Sequence, residues 1–148
     1  MRLKGLFTKR RFRVMGAMKG DTCPTERFLI SGEKQYAGSR DGLMDLLRRA
    51  ADDGLAQFSS ELLHLVDQSN GIYEFIKGDL RLLFFKGFDG ELVVCTGGYI
   101  KKGQKAPSRE VAQAVRLKQE YMSAKKAGTI QIEGEHDGNA GQVDPRRR

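Results

Sequence analysis

Three apolar runs between residues 72 and 96, separated by turn residues, constrain this chain more than any other feature. Ile72–Ile76, Leu80–Phe85 and Glu91–Thr96 have the length and composition of strands. Gly78-Asp79 and Gly87-Phe88-Asp89-Gly90 separate them with hairpin-turn chemistry. Strands joined by connections this short pair antiparallel, so the spacing predicts a meander. The segment that follows, Gly97 to Pro107, contains three lysines and Tyr99. A helix is predicted from Ser108, with Pro107 before it and Glu110 at its positive end. Val111, Ala114, Val115, Tyr121 and Met122 supply its buried side.

Upstream, Leu43, Leu46, Leu47 and Ala50 form an i, i+3, i+4, i+7 stripe. Ser39 or Asp41 caps that helix and Gly54 stops it. A second helix is predicted over Ser59–Asp67, with Phe58, Leu62, Leu65 and Val66 on one side, before Asn70-Gly71 breaks the chain. Phe28-Leu29-Ile30 reads as a short first strand. The expected class is therefore α+β: two N-terminal helices, an antiparallel sheet of three to four strands, and a C-terminal helix.

Charge divides the chain. Residues 1–20 carry seven Lys/Arg and no acid, residues 21–69 are acidic on balance, and residues 70–128 are basic. A basic C-terminal half beside an acidic middle suits either a face for a polyanion or a plain solvated surface. With scattered arginines and no sustained apolar period, residues 1–21 are expected to be a basic disordered arm. Residues 128–148, rich in Gly, Asp, Glu and Asn and ending in Arg146, Arg147 and Arg148, are expected to be a disordered tail. The domain proper then spans residues 22–127. Met15 and Met18 leave the start of translation open. No apolar run suggests a membrane span or a secretory signal, and Cys23 and Cys95 suggest neither a disulfide scaffold nor metal spacing. The expectation is a cytoplasmic protein without metal or cofactor.

The basic residues carry the candidate chemistry. Arg81 lies in the middle strand, and Lys101, Lys102 and Lys105 lie in the turn before the last helix. Convergence of these groups would hold a scissile phosphate and stabilise the charge that builds as a ribose 2′-hydroxyl attacks it. Crowded cations depress a lysine's pKa, which suits it to proton transfer near neutrality. Tyr99, with Tyr73 and Tyr121, offers rings for stacking on a base. A purely structural role for Arg81, in an ion pair with Glu74 or Asp79, is the competing reading. His64 reads as a helix-surface residue and Cys95 as core. His136 falls in the expected tail.

The ordered set Gly71-Ile72-Tyr73-Glu74-Phe75, Asp79 to Phe85, Gly98 to Pro107, and the helix from Ala114 to Tyr121 resembles the RelE/ParE toxin superfamily. More narrowly, it resembles the HigB-like, phage-derived branch. The resemblance covers roughly residues 55–125. It implies a RelE-like fold and the toxin of a type II toxin–antitoxin pair: a ribosome-dependent mRNA endoribonuclease, metal-independent, silenced by a helix-turn-helix antitoxin. Catalytic roles then fall on Arg81, Lys101 and Lys102, and substrate binding on Tyr99, Lys105, Tyr73 and Tyr121. Glu74 becomes a structural partner of the basic cluster, and Pro107 sets the turn. Thr96-Gly97 stands where the branch often has a histidine before its Gly-aromatic pair. Two other classes remain: a non-catalytic module that binds RNA or a host protein, and a ParE-like topoisomerase inhibitor.

Overall fold

The computed structural model describes residues 1–88 and 92–134. The chain begins with an antiparallel hairpin, β1 (Arg2–Phe7) and β2 (Arg13–Ala17). Two helices follow, α1 (Pro24–Ile30) and α2 (Ala37–Asp53). A meander of β3 (Leu63–Asp67), β4 (Ile72–Lys77), β5 (Leu80–Lys86) and β6 (Leu92–Ile100) leads into α3 (Ser108–Ala127) and a short β7 (Gln131–Glu133). All strands join one sheet in the order β3-β4-β5-β6-β2-β1-β7. It is mixed: β2 pairs parallel with β6, β7 pairs parallel with β1, and the other neighbours are antiparallel.

The class is α+β, but the expected RelE-like plan of two N-terminal helices, an antiparallel sheet of three to four strands and a C-terminal helix is overturned: the described residues form a seven-stranded mixed sheet with three α-helices. Each difference has a physical source. Residues 1–21, expected to be a disordered arm, contain β1 and β2. Their apolar side chains are split between two cores: Leu3, Met15 and Ala17 face α3, while Leu6, Phe7 and Val14 face α1 and α2. A strand buried on both faces loses the clean alternation that reveals one. Of the arginines that suggested disorder, Arg2 and Arg13 start the two strands, and Arg10 and Arg11 lie in the hairpin connection, where Arg10 pairs with Asp52 of α2 at 2.7 Å.

Residues 63–67 form a strand instead of the second half of a helix. A helix over Ser59–Asp67 would be short and weak by itself. The strand satisfies its backbone against β4, from Leu63↔Phe75 to Asp67↔Ile72. Residues 28–30 are helical because Pro24 sits in the first turn of α1 and Leu29 docks into the core. Of the expected tail, residues 131–133 pair with β1. Residues 135–148, including His136 and the terminal arginines, lie outside the described residues, as do Asp89 and Gly90 of the second expected turn and Glu91 at the start of the third expected strand.

Other expectations match the structure. The Leu43–Ala50 stripe is buried on α2, which ends at Gly54. Gly78-Asp79 joins β4 and β5 as a two-residue turn between the paired residues Lys77 and Leu80, with Gly78 at φ 57°. α3 starts at Ser108. Both faces of the sheet are covered, by α1 and α2 on one side and by α3 on the other.

Met15 is fully buried against the α3 side. Met15→Ala is expected to cost about 2–5 kcal/mol, read as a lower urea midpoint; a floppy arm would leave the midpoint unchanged.

Candidate functional site

The α3 face of the meander carries a polar cluster where the opposite face is packed with phenylalanines. Register places it there. His64 of β3 lies opposite Glu74 of β4, and Arg81 of β5 lies opposite Tyr99 of β6. Glu74 sits among them, 5% exposed. Its Oε2 accepts the Tyr99 hydroxyl at 2.6 Å. Its Oε1 lies 3.2 Å from His64 Nδ1 and 3.8 Å from Arg81 Nε. A buried carboxylate is costly unless its lone pairs are filled, and here three strands supply the partners.

Arg81 is itself 8% exposed. Beyond Glu74, its Nη1 donates to the carbonyls of Gly78 at 2.7 Å and Leu80 at 3.0 Å. The ion pair weighed against a phosphate-binding role is therefore present, with Glu74 as the partner. Burial, and then the hydrogen bond to Glu74, push the Tyr99 phenol above its ordinary range. Tyr99 thus holds its proton and serves as a donor.

A cleft of about 860 Å³ opens over this cluster. Its walls include His64 and Glu74, Lys105 from the lysine-rich turn, and Ser108, Val111 and Val115 from the first turns of α3. The His64 side chain is 53% exposed. The tautomer that satisfies its contact with Glu74 donates from Nδ1 and leaves Nε2 as the exchangeable nitrogen. This is the geometry of an imidazole oriented by a carboxylate for proton transfer.

Arg81 and Tyr99 contact Glu74 and Lys105 lines the same cleft, whereas other predicted residues lie elsewhere. Lys101 and Lys102 are exposed and follow β6, where the Lys101 N–H bonds to the Asp79 carbonyl at 2.7 Å. They lie beside the β4–β5 turn and do not line the cleft. Tyr73 packs in the opposite core, stacked on Phe84 at 5.4 Å with Lys86 over its ring. Tyr121 is 1% exposed, packs on Phe85 and Phe88, and accepts the Phe88 N–H at 3.3 Å. Neither ring is placed to stack on a base over this cleft. In the sequence, Tyr121 shares the helical spacing of core positions, which already pointed inward.

His64 is the residue that sequence reasoning missed. A helix over 59–67 separates it from Glu74, while a strand puts the two opposite one another. The usable signal was the alternation Leu63-His64-Leu65, obscured by the short apolar stripe. Among the described residues, no group of three or more His, Cys, Asp or Glu is arranged to hold a metal ion. No described helix is long and apolar enough to cross a membrane. Compared with known proteins, the chain matches no family model and no curated protein.

Glu74→Ala leaves the Arg81 guanidinium buried without its carboxylate. It should cost about 3–5 kcal/mol in urea unfolding. Tyr99 adds a pH dependence. Because its folded pKa is raised, its contribution to stability is complete below the ordinary value of 10.0 and is lost as pH climbs from there through the folded value. The stability difference between the native chain and Tyr99→Phe should therefore narrow at alkaline pH, measured by urea unfolding across a pH series.

Proposed function

We propose that this protein is the toxin of a type II toxin–antitoxin pair and cuts mRNA at the ribosome without a metal. The observation that carries the reading is the Glu74-oriented imidazole of His64 at the mouth of a cleft that also presents Lys105. RNA supplies its own nucleophile. The 2′-hydroxyl attacks the adjacent phosphorus, its proton passes to a base, and the 5′-oxygen leaves with a proton from an acid. The products are a 2′,3′-cyclic phosphate and a 5′-hydroxyl end. His64 Nε2 is the proton-transfer group, and Lys105 meets the charge that builds on the phosphate. Arg81 and Tyr99 are positioning residues that hold Glu74. Lys101 and Lys102, exposed beside the β4–β5 turn, hold the RNA backbone away from the cut. The antitoxin, as the resemblance implies, is a helix-turn-helix protein.

One observation favours a second reading. Arg81 is occupied by Glu74 and two carbonyls, so the exposed lysines alone would grip RNA in a module that does not cut.

Induced expression followed by mapping of 5′-hydroxyl ends on cellular mRNA separates the two. The native chain should arrest growth and generate such ends. His64→Gln should lower cleavage by about 10²–10⁴-fold with an unchanged melting temperature. Lys101→Ala/Lys102→Ala should weaken RNA binding and flatten its salt dependence. Native-level cutting by His64→Gln would remove the proton-transfer assignment, and RNA binding without new ends would establish the gripping module.

A further inference from the structure

Past Cys95, strand β6 has a partner on one side only. β2 pairs with it from Arg13↔Leu92 to Gly16↔Cys95 and ends one residue later, at Ala17. β6 continues to Ile100, paired with β5. The side of Gly97–Ile100 turned away from β5 therefore has no strand partner among the described residues. Bare main-chain N–H and C=O groups of this kind are a template for an incoming strand.

Enclosure distinguishes this stretch from the outer edge of β3. A recess of about 530 Å³ lies against it, walled by Arg27 and Phe28 of α1, Tyr36 and Arg40 at the start of α2, and Glu110 and Gln113 of α3. α1 and α2 cover one sheet face and α3 covers the other. Walls from both layers put the recess at the level of the sheet, where a strand would extend the line of β2. Gly98 makes the fit on the α1 side, since a Cβ there would run into the Phe28 ring. The free stretch is four residues, or about 13 Å of strand.

Charge favours an acidic occupant, since Lys19, Arg27 and Arg40 outnumber Glu33 and Glu110 along the lining. Lys19 and Arg27 line the recess and have no ion-pair partner among the described residues. Arg40 gives one nitrogen to the Glu33 carbonyl at 3.0 Å. The chain's net charge of +7 disfavours a second copy of itself. We propose that this slot receives an extended acidic peptide of a partner protein. The peptide adds as a strand to the Gly97–Ile100 edge, with apolar side chains against Phe28 and Tyr36 and carboxylates against Lys19, Arg27 and Arg40. The proposal stands apart from the RNA-cleavage reading, because it uses the other side of α3.

Amide hydrogen exchange of the full chain, with and without an end-blocked Glu-Val-Asp-Ile-Glu-Val-Asp-Ile peptide, tests it. Amides within Gly97–Ile100 should be protected by the peptide and not by its backbone N-methylated form. Lys19→Glu/Arg27→Glu, both at exposed positions, should keep the native melting temperature and bind about tenfold more weakly or worse. Unchanged exchange at Gly97–Ile100 with saturating peptide would overturn the proposal. Equal protection by the N-methylated form, or native affinity in the double variant, would do the same. Protection of the same amides by adenosine diphosphate but not by peptide would reassign the recess to a small phosphorylated ligand.

Discussion

The parallel pairing of β2 with β6 is the contact on which the rest of the structure depends. It joins residues 13–16 to residues 92–95, closing most of the chain into one loop. A long closure of this kind carries an entropic cost that grows only slowly with length. What it returns is a sheet wide enough to bury both faces. Without it the meander would end at β6, and Val94, Met15 and Leu3 would lose their common core beneath α3. The same pairing stops at Cys95, which leaves the far end of β6 bare beside α1.

The polar cluster follows from that architecture. A central strand in a sheet covered on both faces should be apolar throughout, and β5 is, apart from the buried Arg81 and the exposed Lys86 at its end. Arg81 is tolerated because Glu74 sits diagonally across on β4, and Glu74 is tolerated because His64 and Tyr99 complete its shell. A carboxylate supported from three strands is held rigidly, and rigidity is what a proton-transfer group needs from its surroundings. α3 and the lysine-rich turn then give this cluster a wall and an opening to solvent.

Residues 72–127 were largely legible because their elements are specified by neighbours in sequence. Gly78-Asp79 closes a hairpin locally, and the Leu43–Ala50 stripe and Pro107-Ser108 mark helices by spacing and capping. Most misreadings occurred where a distant partner decided the outcome; residues 28–30 are the exception, since Pro24 was a local helix signal. Leu62 and Val66 suit a helix until β4 offers Leu63 to Asp67 a ladder. Leu3 and Met15 look scattered until α3 covers them. Tyr73, Tyr99 and Tyr121 are alike as residues, yet one lies under Lys86 in the α2-side core, one holds Glu74, and one is sealed against Phe85.

The amino-acid order by itself determined the helix of residues 37–53, the meander, the final helix and the basic character of the turn between them. In each case, hydrogen bonds and apolar periodicity act over a few residues. Only the tertiary structure decided that His64 meets Glu74, that Arg81 is committed to an ion pair, and that the first seventeen residues belong to the sheet. Those outcomes rest on register and on which face each helix covers, and both are set by contacts between segments far apart in the chain.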